Sequence, residues 1–207
     1  MANVVLFNKP YGVLSQFTDA DGHPGLAHHL SLPGFRAAGR LDRDSEGLLV
    51  LTDSGPLQAR ITEPRFRTLK TYWVQVEGSP DLTLWHKTLH LKDGPAKFVT
   101  VSPLTDPPVW PRTPPIRVRK AIPDSWVAVS IDEGRNRQIR RMTAALGHPT
   151  LRLIRIQSGA FELNDLQPGE HRAVELPASY QQLAAPSKTT SMPRPRPKRG
   201  DTRRGRS

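Results

Sequence analysis

The chain has 207 residues, 30 lysines and arginines against 19 acids, a formal charge of +11 and no cysteine. That length suits one domain, or two small lobes. The lack of cysteine excludes a disulfide framework and thiolate metal sites, and no apolar run is long enough to cross a bilayer. The start, "MANVVLFNKP", lacks the layout of a signal peptide, so a cytoplasmic protein is expected. The basic excess favours a polyanionic partner. From Ser187 onward there are 8 basic residues against one acid, Asp201, so about seven of the positive charges sit in this tail.

In chain order, "VVLFNKPYGVLSQF" reads as a strand over Val4 to Phe7, a Pro-Tyr-Gly turn and a second apolar run. "GLLVLTD" reads as a buried strand. "SGPLQARITEP" reads as a short helix, with Ser54 as cap, Pro56 near the start and Pro64 as the stop. "TLKTYWVQVEG" alternates and is rich in aromatic and β-branched residues, which predicts a strand. A helix is predicted from Pro80 to Leu89, followed by a strand in "AKFVTVSPL". After a proline-rich connection a hairpin is predicted, Ile116 to Lys120 with Trp126 to Ile131. "NRQIRRMTAALGHP" gives the clearest helix, with Ile139, Met142 and Leu146 as its apolar stripe and Gly147 and Pro149 as its stop. "TLRLIRIQSGAFEL" contributes one or two strands and "PASYQQLAA" a short closing helix.

Strands outnumber helices and do not alternate with them, which predicts an α+β fold with a largely antiparallel central sheet and flanking helices. The expected organisation is a domain over 1–184, two lobes around a cleft, and a basic disordered tail over 185–207, where there is little to bury.

Three stretches carry candidate chemistry. In "GRLDRDSEGLLVLTDSG", Asp42, Asp44 and Glu46 would share one face of an extended segment. Spacing alone favours a solvated loop balanced by Arg40 and Arg43. The bracketing Gly39 and Gly47, and the buried strand that follows, favour a rigidly held reactive group. Both readings stand at this point. In "EGRNRQIRRM", Arg137, Arg140 and Arg141 form one basic face at the start of a helix, where cations oppose the helix dipole and call for an anion. In "KTYWVQV", Tyr72 and Trp73 point to opposite faces of a strand, and a tyrosine in the core is the simpler reading. The histidines lack ligand spacing, so no metal site is expected. No phosphate loop, dinucleotide fingerprint or serine elbow is present. Carboxylate chemistry is what remains.

"NKPYGVL", "GRLDRDSEGLLVLTDSG", "KTYWVQV", "EGRNRQIRRM" and "LRLIRI" occur in this order. Together they resemble the catalytic domain of the bacterial RsuA/RluB/RluE/RluF group of pseudouridine synthases, over about Val4 to Glu175. The likeness is greatest to the member that modifies 23S ribosomal RNA without a small RNA-binding module before the first motif. The resemblance implies Asp42 as catalytic carboxylate, Tyr72 as active-site tyrosine and Arg140 as the partner of Asp42. It also implies a reaction that needs no cofactor. Lys9, Arg40, Arg43, Arg137, Arg141 and Arg152 are the residues expected to bind RNA, and the protein is expected to act as a monomer. A non-catalytic RNA-binding or ribosome-assembly protein would share the charge and the tail. A carboxylate glycosidase would need an acid of raised pKa, which arginines disfavour.

Overall fold

The structure, a computed structural model, describes residues 3–116 and 122–184. In chain order these form β1 (Val4–Lys9), β2 (Arg36–Ala37), β3 (Glu46–Thr52), α1 (Gly55–Thr62), β4 (Lys70–Glu77), β5 (Leu89–Leu91), β6 (Gly94–Ala96), β7 (Thr100–Leu104), β8 (Asp124–Ile131), α2 (Gln138–Ala145), β9 (Thr150–Ser158), β10 (Phe161–Glu162) and β11 (His171–Val174). Nine strands make one sheet in the order β11-β1-β3-β9-β4-β8-β7, with β2 beside β3 and β10 beside β9. All its pairings are antiparallel except β3 with β9, where Glu46 lies beside Ile154 and Gly47 beside Arg155. The expected α+β class with a largely antiparallel sheet is what is found.

Alternate residues of the central strands enter different cores, because side chains alternate across a strand. Val4, Leu6, Leu48, Val50 and Ile154 pack with Leu57 and Ile61 of α1. Val5, Phe7, Leu49 and Leu51 pack instead with Leu26 and Leu30 of the long connection before β2. Both faces of β1 and β3 are therefore covered, which is why their sequences are apolar throughout rather than alternating. A third core lies where Tyr72, Val74, Leu153, Val127 and Val129 meet Ile139 and Met142 of α2. Leu153 and Ile154 are neighbours in β9 but belong to different cores. The α2 core thus lies on the opposite face of β9 from the α1 core.

The helix α1 begins as expected: the Ser54 side chain accepts from the Leu57 amide and Pro56 occupies the first turn. The predicted helix from Pro80 to Leu89 is corrected. Only a five-residue 3-10 turn, Leu82–His86, forms there, opened by Asp81 accepting from the Thr83 amide. Two β-branched threonines disfavour an α-helix. Asp93-Gly94 is a hairpin signal, and it draws Leu89–Leu91 into pairing with Gly94–Ala96. The predicted hairpin partner of β8 lies mostly outside the described residues. Strand β8 is instead paired on both sides, by β4 and β7.

The face of β9 away from α2 carries a buried ion pair. Arg152 Nε and Nη2 donate to Glu46 Oε1 and Oε2 at 2.7 and 2.8 Å. Trp110 Nε1 donates to Glu46 Oε2 at 2.9 Å, and Arg152 Nη1 donates to the Trp110 carbonyl. A buried pair broken on one side leaves an uncompensated charge, at a cost of about 3–5 kcal/mol. Glu46→Ala should destabilise the fold by about that amount in urea unfolding. Glu46→Leu combined with Arg152→Met should recover more than half of the loss.

Candidate active site

The loop from Ala38 to Glu46 is held at almost every residue. The Ala38 amide donates to Val50 O, and Ser15 Oγ both donates to Leu41 O (2.8 Å) and accepts from the Leu41 amide (3.0 Å). The Ser45 amide closes a turn on Asp42 O at 3.0 Å. The Arg43 carbonyl accepts from the Gly12 amide and from Lys9 Nζ. Lys9 also donates to the carbonyls of Pro10 and Val13. It is fully buried, and burial pulls its amine down to about 7 although Glu46 opposes this. Lys9 is therefore corrected from an expected RNA contact to a clamp on this loop.

The three acids, expected on one face, do three different things because the loop turns instead of extending. Asp42 is about one-third exposed and lines a cavity of about 730 Å³. Asp44 accepts from both Nη atoms of Arg137 at 2.9 Å each. Burial disfavours its charge, but the Arg137 bonds and the nearby Arg140 hold its carboxyl below the usual range. Glu46 faces away, into the pair with Arg152 described above.

The arginines at the start of α2 are likewise divided. Arg137 has a left-handed backbone (φ +46°) as the residue capping α2. Its side chain reaches Asp44 and comes within 3.7 Å of Asp42 Oδ2. Arg140, one turn on, donates to the Asp44 carbonyl at 2.7 Å and lies 3.5 Å from Asp44 Oδ2. So the arginine within ion-pair range of Asp42 is Arg137, where the resemblance implied Arg140. Arg140 instead lines a neighbouring cavity of about 400 Å³ with Tyr11 and Arg112. Arg112 lies 4.3 Å over the Tyr11 ring. Arg141 grips Asp93 through two bonds of 2.8 Å and holds that carboxyl down at about 2. Arg135 reaches Asp93, Glu133 and the carbonyls of Gly94 and Pro95. The anion demanded at the helix start is thus supplied largely by the protein's own carboxylates.

The floor of the larger cavity is the sheet. Tyr72 and Arg155 sit opposite each other on β4 and β9. Lys70, two residues before Tyr72, shares its face, and Leu153, Ile131 and Ile139 complete an apolar surround. At the mouth Arg43 is exposed and contacts His23, while the exposed Arg40 side chain makes no hydrogen bond or ion pair among the described residues. Arg152 is corrected from an expected RNA contact, since it is buried against Glu46 on the other face.

Lys70 and Arg155 escaped the sequence reading although both lay in quoted motifs. The signal was strand parity. Lys70 shares its face with Tyr72, and in "LRLIRI" Arg155 falls on the face of Leu153 while Arg152 falls on the other.

Comparison with known proteins gives a consistent result. The family described as RNA pseudouridylate synthase matches residues 3–145. A protein of Vibrio vulnificus named ribosomal large subunit pseudouridine synthase E is 52% identical over 178 residues, 84% of this chain and 76% of its own. A Xanthomonas campestris protein of the same name is 55% identical over 175 residues, 82% of this chain and 94% of its own. Among solved structures, one titled as a pseudouridylate synthase superposes with a TM-score of 0.67 at 27% identity, over 89% of this chain and 73% of that one. With a matching family pattern over most of its length and relatives above half identity, the chain belongs to the RNA pseudouridylate synthase family.

Proposed function

We propose that this protein isomerises one uridine of 23S ribosomal RNA to pseudouridine, with Asp42 as the working carboxylate and no cofactor. The observation that carries the reading is a solitary acid in a cationic pocket. Among the described residues Asp42 is the one carboxylate lining the 730 Å³ cavity, with Arg40, Arg43, Lys70, Arg135, Arg137 and Arg155 around it. The names of the relatives support large-subunit ribosomal RNA as the substrate. Such a substrate places the reaction in the cytoplasm, where ribosomes are made.

The reaction breaks the bond from ribose C1′ to uracil N1, turns the base and joins C1′ to C5. The C5 proton leaves and N1 gains one, so no net redox change occurs. Asp42 either forms and then loses a bond to the sugar, or takes and returns the C2′ proton. Arg137, 3.7 Å from Asp42 Oδ2, helps to hold the carboxylate in position. The target base leaves its stack to enter the pocket, where Tyr72 and Leu153 offer it an apolar seat. Arg40 and Arg43 at the mouth meet the phosphates, and the cleft between the core on α2 and the core beside β1 holds the RNA strand.

Tritium release from RNA carrying 5-tritiated uridine tests this directly, because bonding at C5 expels the label. Asp42→Asn should fall to background, a barrier increase of about 8 kcal/mol or more, with RNA affinity retained. Asp44→Asn and Glu46→Gln, corrected for folded fraction, should keep measurable turnover. Equal loss in all three would transfer the effect from one acid to the charge balance of the loop.

Arg137 and Arg140 separate in the same assay. Lysine lacks the planar fork that grips a carboxylate through two bonds. Arg137→Lys should lower turnover by about tenfold or more, as expected where a fork to Asp44 and a charge beside Asp42 are both disturbed. Arg140→Lys, which disturbs a single bond to a carbonyl, should cost less. The reverse order would return the partnership with Asp42 to Arg140.

The segment 185–207 lies outside the described residues, and its charge supports a role in holding RNA. Removing it should weaken binding and flatten the dependence of affinity on salt, since fewer counterions are released. An unchanged salt slope in filter binding would exclude that role.

A further inference from the structure

We propose that Lys70 and Arg155 are catalytic residues whose paired positive charges stabilise the uracil as it departs from the sugar. This rests on the reaction proposed above and assigns a chemical task to two side chains that task has not yet used.

The geometry sets these two cations apart from the others around the cavity. Arg137 is committed to Asp44, Arg135 to Asp93 and Glu133, and Arg43 contacts His23. Of the cavity's cations that form no ion pair among the described residues, Arg40 is exposed at the mouth, whereas Lys70 and Arg155 are buried on the floor. Arg155 donates from Nε to Leu48 O at 2.8 Å and from Nη2 to Gly39 O at 3.1 Å, which fixes the guanidinium and leaves Nη1 unspent. Lys70 donates to Thr68 O at 2.9 Å, so among the described residues only one of its three protons is spent. Both side chains are buried, 7% and 1% exposed, yet both line the cavity.

Two buried cations side by side without a counter-ion are costly, and the cost shows at Lys70. Burial, then the charge of Arg155, brings its amine down to about 8, with Asp132 opposing only in part. Such an arrangement is destabilising in the empty protein and becomes favourable when an anion arrives. The floor of the pocket, beside Tyr72 and Leu153, is the place for a base and lies below the mouth where phosphates would pass. The anion that arises there is the base itself. When C1′–N1 breaks, the electron pair goes to uracil and spreads over N1, O2 and O4. The unspent N–H groups of Lys70 and Arg155 are fixed donors for those oxygens. When C5 then bonds to C1′, the base gives its electron pair to that bond and its charge is quenched; loss of the C5 proton and uptake of one at N1 follow with no net change of charge. Asp42 does not neutralise the two cations beforehand, because its own ion pair is with Arg137.

Donors fixed at a developing oxyanion are worth about 10²–10³ in rate each. Lys70→Met should therefore lose about that factor in single-turnover conversion, with RNA affinity within about threefold. Lys70→Arg should retain most of the rate. Replacing uridine by 5-fluorouridine in the RNA makes the departing base less dependent on help, because fluorine already withdraws charge. On that substrate C5 carries fluorine and no proton, so rearrangement stops at the C5-linked nucleoside that keeps its fluorine, with water adding across C6=N1. The deficit of Lys70→Met, read by nuclease digestion and chromatography of this nucleoside, should shrink at least tenfold.

A second measurement serves if Lys70→Met does not fold. The charged groups facing Lys70 are Arg155 from β9 and Asp132 after β8, with Asp42, Arg135 and Arg137 across the cavity and Tyr72 on its own strand. Wild-type turnover should fall as pH rises past about 8, where Lys70 loses its proton. Lys70→Arg should lack that fall. Equal deficits on uridine and 5-fluorouridine, a loss confined to RNA affinity, or an alkaline limb that survives in Lys70→Arg would each overturn the proposal. Failure of the wild-type protein to convert uridine at all would instead overturn the reaction on which it rests.

Discussion

Everything about the site depends on the parallel junction of β3 and β9. Among the described residues it is the only place where the two antiparallel halves of the sheet pair, β11-β1-β3 on one side and β9-β4-β8-β7 on the other. Asp42 enters the cavity from the loop that leads into β3, whereas Tyr72, Lys70 and Arg155 belong to the other half. Gly47 makes the approach possible. It sits at φ +95°, and a Cβ there would collide with the Arg155 backbone. One face of the junction is sealed by Glu46 and Arg152, and the other presents Arg155 to the pocket. The same few residues thus join the halves and arm the site between them.

The charge of the pocket follows from an unequal pairing of ions. Carboxylates are spent on the arginines of α2, where they also fix the helix against the loop and against the β5–β6 hairpin. The sheet floor receives none. A pocket lined in this way keeps a positive field without relying on mobile surface side chains, and a low-dielectric floor makes each remaining charge count for more than it would in water. Asp42 lies between the two regimes, beside Arg137 on one side and open to the cavity on the other.

Much of this was legible in the sequence. The apolar runs of β1 and β3, the alternation of β4, the capping of α1 and the stop of α2 all report local physics, and they gave the fold class. The proposal of Asp42 as the working acid rests on a motif order, because spacing alone leaves the three carboxylates equivalent. What sequence could not supply was which partner each charge would choose. Spacing puts Arg137 and Arg140 on one helix face, but Arg137 caps α2 with a left-handed backbone and lies within 3.7 Å of Asp42. Lys9 and Arg152 look like surface cations until the packing around them is known. The segment from Pro80 to Leu89 had helical composition in part, yet the turn signal at Asp93-Gly94 had the stronger claim on its end.

The loop carrying Asp42 has a consequence for how such a chain can change over time. Leu41 is tied through both backbone atoms to Ser15, Asp42 and Arg43 by their carbonyls, Asp44 by carbonyl and carboxylate, and Glu46 by its buried pair. Most of those ties use main-chain atoms, which every residue type possesses. Apart from Asp42, a side chain in the segment that makes no bond of its own can vary without loosening these ties, but the number of residues cannot. Adding or removing one would shift every later tie out of register and turn the strand that follows onto its wrong face. These ties constrain the length of the stretch more tightly than the identity of its unbonded side chains.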